Sequence, residues 1–146
     1  MDTIDVLVET LRDRDNRRAH VALCELQAIS EHSAAVYPYF DTFAAMLDDS
    51  SSYMRIRGLW LIAANARWDT DRRLDGVIEA YLTHITDQKP IASRQCIGAL
   101  PLIASARPDL KACIRKALLN ADTSPYADSM RPLVEKDIAA AVAALK

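Results

Sequence analysis

The side chains able to do chemistry are few and dispersed. His20, His32 and His84 form no His-x-x-x-His or His-Glu pair, and Cys24, Cys96 and Cys113 are an odd set without Cys-x-x-Cys spacing. A metal site needs ligands a fixed step apart on one element, so no metal is expected. Gly-x-Ser-x-Gly, Gly-x-Gly-x-x-Gly and phosphate-loop patterns do not occur, which removes the common serine nucleophiles and nucleotide cradles. The best acidic cluster is Trp68-Asp69-Thr70-Asp71. It reads as paired carboxylates beside an aromatic wall, or as two helix-capping oxygens with a Trp over the core edge. Capping is the simpler reading, because Asp and Thr ahead of an apolar run satisfy free helix N–H groups. The expectation is a protein with no catalytic residues, no cofactor and no enzymatic activity.

The elements that position these residues follow from composition. Only 3 of 146 residues are Gly, while 24 are Ala and 16 are Leu. Primed hairpin turns, bulges and phosphate loops depend on Gly, so sandwiches, barrels and nucleotide folds are disfavoured. The remainder is an all-α domain, and 51% hydrophobic with 26% charged residues suits one globular unit. The three cysteines fall in apolar runs and read as small core hydrophobes of a reducing compartment. Met1-Asp2-Thr3-Ile4-Asp5 is unlike a secretory signal and no apolar stretch could span a bilayer, so no membrane partner and a cytoplasmic location are expected. The net charge of −2 conceals opposed halves: residues 1–50 carry 4 basic and 10 acidic side chains, residues 51–146 carry 14 and 10. Residues 88–120 are the most basic part, with Lys89, Arg94, Arg107, Lys111, Arg115 and Lys116 against Asp109.

Apolar periodicity predicts eight helices. The first spans about 2–13 and the second about 16–31. A third, capped by Ser33, has Val36, Tyr37, Phe40, Phe43, Met46 and Leu47 inward. The fourth, about 52–67, is apolar on nearly all sides and should be buried. A fifth, capped by Asp69-Thr70-Asp71, presents Leu74, Val77, Ile78, Tyr81, Leu82 and Ile85. The sixth spans about 91–106, the seventh opens at Pro108 and Asp109, and the eighth covers about 130–145.

These helices repeat. Arg17, Arg55, Arg94 and Arg131 are 38, 39 and 37 residues apart, each opening a helix after a break. Asp49, Asp87 and Asp122 close pairs at 38 and 35, and Asp71 and Asp109, 38 apart, sit in the turn inside a pair. A helix-pair unit of this length, with Pro101, Asp109 and Arg115 in order, resembles a HEAT or armadillo repeat. Unit two departs from it, having Val77 where the basic residue would stand, and unit one has Ser33 in its turn. The resemblance implies a right-handed α-solenoid of antiparallel helix pairs in one domain, residues 1–146. It would hold an N-terminal capping helix (1–15), units 16–51, 52–89 and 90–129, and a C-terminal helix (130–146). Small bacterial proteins of this look are at times grouped with iron–sulfur assembly scaffold proteins. Those resemble right-handed β-helices, which this composition does not build.

In such a solenoid the second helices line a concave surface. The expected function is therefore a protein-binding adaptor whose partner, a protein or peptide, meets Asp41, Asp75, Glu79, Lys111, Arg115 and Lys116. Arg17, Arg55, Arg94 and Arg131, opposed by helix dipoles, are expected to be held in a structural ladder with Asp71 and Asp109. Two alternatives stand beside this. The alkylpurine DNA glycosylases resemble a HEAT solenoid with Trp, Asp and a basic face, which would give roles to Trp60, Arg67, Trp68 and Asp69; an acidic pI near 5.9 disfavours nucleic acid. A homodimer through the terminal units is the other. Gly58 and Gly98 are expected to let helices approach closely, so that Gly98→Leu overpacks.

Overall fold

Ala and Leu at helical spacing, broken by Pro and Asp clusters, produce helices along the whole chain. The computed structural model describes residues 3–145; among these it is all-α, with eight α-helices and no β-strand. They are α1 (Thr3–Thr10), α2 (Asn16–His32), α3 (Phe40–Met46), α4 (Ser52–Asn65), α5 (Ile78–Leu82), α6 (Pro90–Ala106), α7 (Lys111–Leu119) and α8 (Arg131–Ala144). None is long and apolar enough to cross a membrane.

The helices are of two kinds. α2, α4, α6 and α8 have 17, 14, 17 and 14 residues, whereas α3, α5 and α7 have 7, 5 and 9. The short ones are preceded by 3-10 turns, Tyr37–Tyr39, Arg73–Gly76 and Pro108–Leu110. Pro38 and Pro108 open two of them with a preset φ and no N–H to lose. The fifth element is the most broken, because Gly76 and the β-branched Val77, Ile78, Thr83, Ile85 and Thr86 are poor helix formers. Ser33 does not cap the third helix. It ends α2, its N–H donating to the Ile29 carbonyl, and its Oγ accepts the Ala35 N–H.

α2 packs on α4, α4 on α6, and α6 on α8, so the long helices form one layer. α3 packs on α4, the Thr83–Thr86 turn on α6, and α7 on α6 and α8. The core between them is Phe40, Phe43, Leu59, Leu61, Ile62, Leu74, Tyr81, Ile97, Leu100 and Ile103, each fully buried. Hydrogen bonds tie residues distant in sequence: the Asn65 amide donates to Ser30 Oγ, Trp68 Nε1–H to the Ser30 carbonyl, and the Tyr126 hydroxyl to the Asp87 carbonyl, across 35, 38 and 39 residues. Asp13, Asp49, Asp87 and Asp122 each accept the N–H two residues on at 2.8–3.0 Å, an Asx turn between a shorter helix and the long helix that follows it.

Two expectations about small residues are corrected. A Cβ on Gly58 would lie 2.8 Å from the Phe43 carbonyl oxygen and 3.0 Å from Met46 Cβ, so this glycine does let α3 and α4 approach. Gly98 is exposed, and a Cβ there would meet only the Trp60 ring at 4.0 Å; Gly98→Leu would not overpack the core. Of the cysteines only Cys96 is buried, and Cys24 and Cys113 are exposed, because each is one step off the inward stripe marked by Leu23 and Leu26 or by Ile114 and Leu118.

Candidate functional site

Ion pairs bind the turn edge. Arg107, whose side chain is 9% exposed, donates to Asp69 (2.8 Å), Asp75 (2.5 Å) and Asp109 (2.9 Å). Arg72 reaches Asp75 and Asp109, and Arg73 reaches Asp71 and Asp41. The Tyr37 hydroxyl donates to Asp69 at 2.5 Å and also to Asp71. Residues 37–41, 69–75 and 107–109 are thus one network across three successive turns. Hydrogen bonds from Arg107 hold the Asp109 carboxyl down at about 2 and lower that of Asp75. Arg72 has a left-handed backbone (φ 58°), a strained state for a non-glycine residue that its two ion pairs help to hold.

The expected arginine ladder is therefore assembled differently. Arg55 makes a buried bidentate pair with Asp87 (2.9 and 2.8 Å), and Asp87 also takes the His84 ring at 2.6 Å. Burial pushes the Asp87 carboxyl up, but Arg55, the Lys89 N–H and His84 outweigh it and leave the group below its ordinary value. Arg94 meets Asp137 at 2.6 Å, and Arg131 donates to the Tyr126 carbonyl at 2.9 Å. Arg17 is exposed and meets no carboxylate among the described residues. Asp71 and Asp109 pair with none of these four; their partners are Tyr37, Arg73, Arg107 and Arg72. Asp69 and Arg107 are 38 residues apart, the same period as the arginine series, and that spacing is the signal that could have found them.

The residues expected to meet a partner fall on the short helices and their turns. Asp41 and Asp75 are exposed but engaged in the network, whereas Glu79, Arg115 and Lys116 are exposed, and Lys111 is half-buried. None lines the two clefts of the long-helix layer. The larger, about 610 Å³, lies between α4, α6 and α8 and is lined by Trp60, Ile91, Arg94, Gln95, Ile97, Gly98, Pro101, Asp137, Ala140 and Ala141. The second, about 350 Å³, lies between α2, α4 and α6 and includes Gln27, Glu31, Ala64, Arg67, Leu102 and Ser105. Val21, Tyr53, Ile91 and Leu102, each at least half exposed, sit on the same long helices. In the larger cleft Trp60 Nε1–H donates to Gln95 Oε1 at 2.7 Å, which fixes the indole as a wall.

The Trp68–Asp71 cluster is structural in its contacts. Both Asp69 oxygens are occupied, one by Tyr37 and the other by Arg107 and the Leu74 N–H, and the residue is 7% exposed. Among the described residues no three His, Cys, Asp or Glu side chains stand close enough to share a metal ion. No protein-family model, no curated protein and no solved structure matches the chain.

Proposed function

We propose that this chain is a non-enzymatic, HEAT-like right-handed α-solenoid of the cytoplasm that binds another protein through the face of its long first helices. The observation that carries the reading is the long-helix layer, with its two clefts and the half-exposed Val21, Tyr53, Ile91 and Leu102. Large apolar side chains held at helix surfaces around clefts are the usual anchors of a protein interface. The order of packing, α2 to α4 to α6 to α8 with the short helices behind, supports stacked repeats. The sequence favoured the short-helix face. That face spends Asp41 and Asp75 on internal ion pairs, so the proposal moves to the opposite layer.

The test compares two variants as baits in native lysate. Ile91→Asp with Leu102→Asp should lose the captured partner while retaining the fold, since both side chains are about half exposed. Lys111, Arg115 and Lys116 changed together to Glu should keep it. The reverse pattern returns the site to the short helices. A wild-type bait that captures only itself, with light scattering giving twice the monomer mass, overturns the adaptor reading in favour of a homodimer.

A further inference from the structure

We infer that the cleft between α4, α6 and α8 is a recognition site for a short extended peptide segment that places an apolar side chain next to an Asp or Glu. This rests on the protein-binding reading above and narrows it to one pocket and one chemistry.

Three features of α6 point there. Gly98 is exposed in mid-helix, where glycine weakens a helix relative to alanine, and no packing demands it, since a Cβ would stop 4.0 Å from Trp60. What its missing side chain does is leave the indole bare within the cleft. Pro101, one turn on and lining the same cleft, has no N–H to give the helix, so α6 gives up one backbone hydrogen bond there, beside the fully buried Ile97. Arg94 is held through Nε by Asp137 at 2.6 Å; among the described residues neither of its Nη groups, nor Gln95 Nε2, meets an acceptor. A guanidinium anchored on one side with its outer edge free is a fork for a carboxylate.

The cleft therefore offers an aromatic wall and a set of fixed donors in about 610 Å³, within the size range of ligand pockets. An extended peptide supplies the complements: an apolar side chain for the Trp60–Gly98 floor and a carboxylate for Arg94 and Gln95. The charged side chains lining the cleft are Arg94 and Asp137, paired through Arg94 Nε, so a carboxylate is drawn by the free outer edge of Arg94 and the Gln95 amide and not by an excess of positive charge.

The probe is a panel of end-blocked hexapeptides with Leu or Phe beside Asp or Glu, matched by peptides with Asn, Gln or Lys in the acidic position. Binding is read by Trp60 fluorescence in the full chain carrying Trp68→Phe. Acidic peptides should bind at least tenfold more tightly than their amide or Lys counterparts. Gly98→Leu should cut that binding tenfold or more with no loss of melting temperature, and Arg94→Gln should erase the preference for acid over amide. Equal binding of acid and amide peptides, wild-type binding by Gly98→Leu, or no peptide bound at millimolar concentration overturns the assignment. Loss of the lysate partner in Ile91→Asp/Leu102→Asp but not in Gly98→Leu overturns this pocket and leaves the adaptor reading standing; loss in neither overturns both.

Discussion

Gly58 and Gly98 occupy similar places on successive long helices, and their environments give alanine substitutions opposite signs. At Gly58 the new Cβ would fall 2.8 Å from the Phe43 carbonyl oxygen and 3.0 Å from Met46 Cβ. Neither neighbour can swing aside, since one is backbone and the other is the first atom of a side chain, so α3 must move away from α4. Overpacking of this kind costs about 1–3 kcal/mol, from which the gain in helix propensity of Ala over Gly, about 1 kcal/mol, is subtracted. Because both close contacts are rigid, the cost falls in the upper part of that range, about 2–3 kcal/mol, and Gly58→Ala should lose about 1–2 kcal/mol. At Gly98 the Cβ meets only the Trp60 ring at an ordinary 4.0 Å, so the propensity term stands alone and Gly98→Ala should gain roughly 0.5–1 kcal/mol. Urea denaturation of the two variants beside wild type measures both. A thermal melt should show shifts of roughly 2–4 °C per kcal/mol in opposite directions. A Gly58→Ala protein as stable as wild type, or a Gly98→Ala protein less stable, refutes the distinction between a close-approach glycine and a cleft glycine.

Arg107→Gln leaves Asp69 buried with only Tyr37 and the Leu74 N–H as partners, and should cost about 3–5 kcal/mol in urea denaturation at neutral pH. Asp109, at about 2, and Asp75 have native pKa values below their ordinary 3.8. The stability they contribute is complete above pH 4 and lost as pH falls towards 2, so the melting temperature should drop over that window, with a shallower drop in Arg107→Gln. Equal slopes would show that Arg107 does not hold these carboxylates. Cys24 and Cys113 are exposed and should react with a thiol reagent in the native protein, whereas Cys96, buried and with its thiol pushed up by burial, should react only on unfolding. A third fast thiol in the native protein would contradict the packing of α6 on Tyr81.

The helices were legible because periodicity and punctuation are local. Asp15 caps α2, Pro90 opens α6, and Pro108 begins the turn before α7, each within a residue or two of the expected place. The lengths of the short helices were not legible, since Tyr37 or Leu74 presents the same apolar spacing to a 3-10 turn as to an α-helix. The partners of the charges were beyond local reading too. Arg17 and Arg107 look alike in sequence, yet Arg17 lies in solvent while Arg107 joins three aspartates, and only the 38-residue interval to Asp69 separates them. The cleft was hidden because Trp60 lies in the most apolar stretch, where a core position and a cleft wall have the same pattern.

The distribution of strain and charge is the argument for proposing recognition on the long helices. Along the turn edge nearly every charge is spent: Asp69 and Arg107 are buried, Arg72 accepts a left-handed backbone within the network, and removing one member exposes an unpaired charge inside the fold. A surface of that kind cannot be remodelled for a partner without loss of stability. The long-helix face has the opposite character. Gly98 gives up helix stability, Pro101 gives up a backbone hydrogen bond, and Ile91 and Leu102 keep about half their surface in water, with none of these serving the core. Four such concessions on one helix are the ground on which the proposed binding face rests. Restoring any of them, by Gly98→Ala or by a polar residue at Leu102, should leave the fold as stable or more so, which separates a face kept open for binding from one shaped by the core.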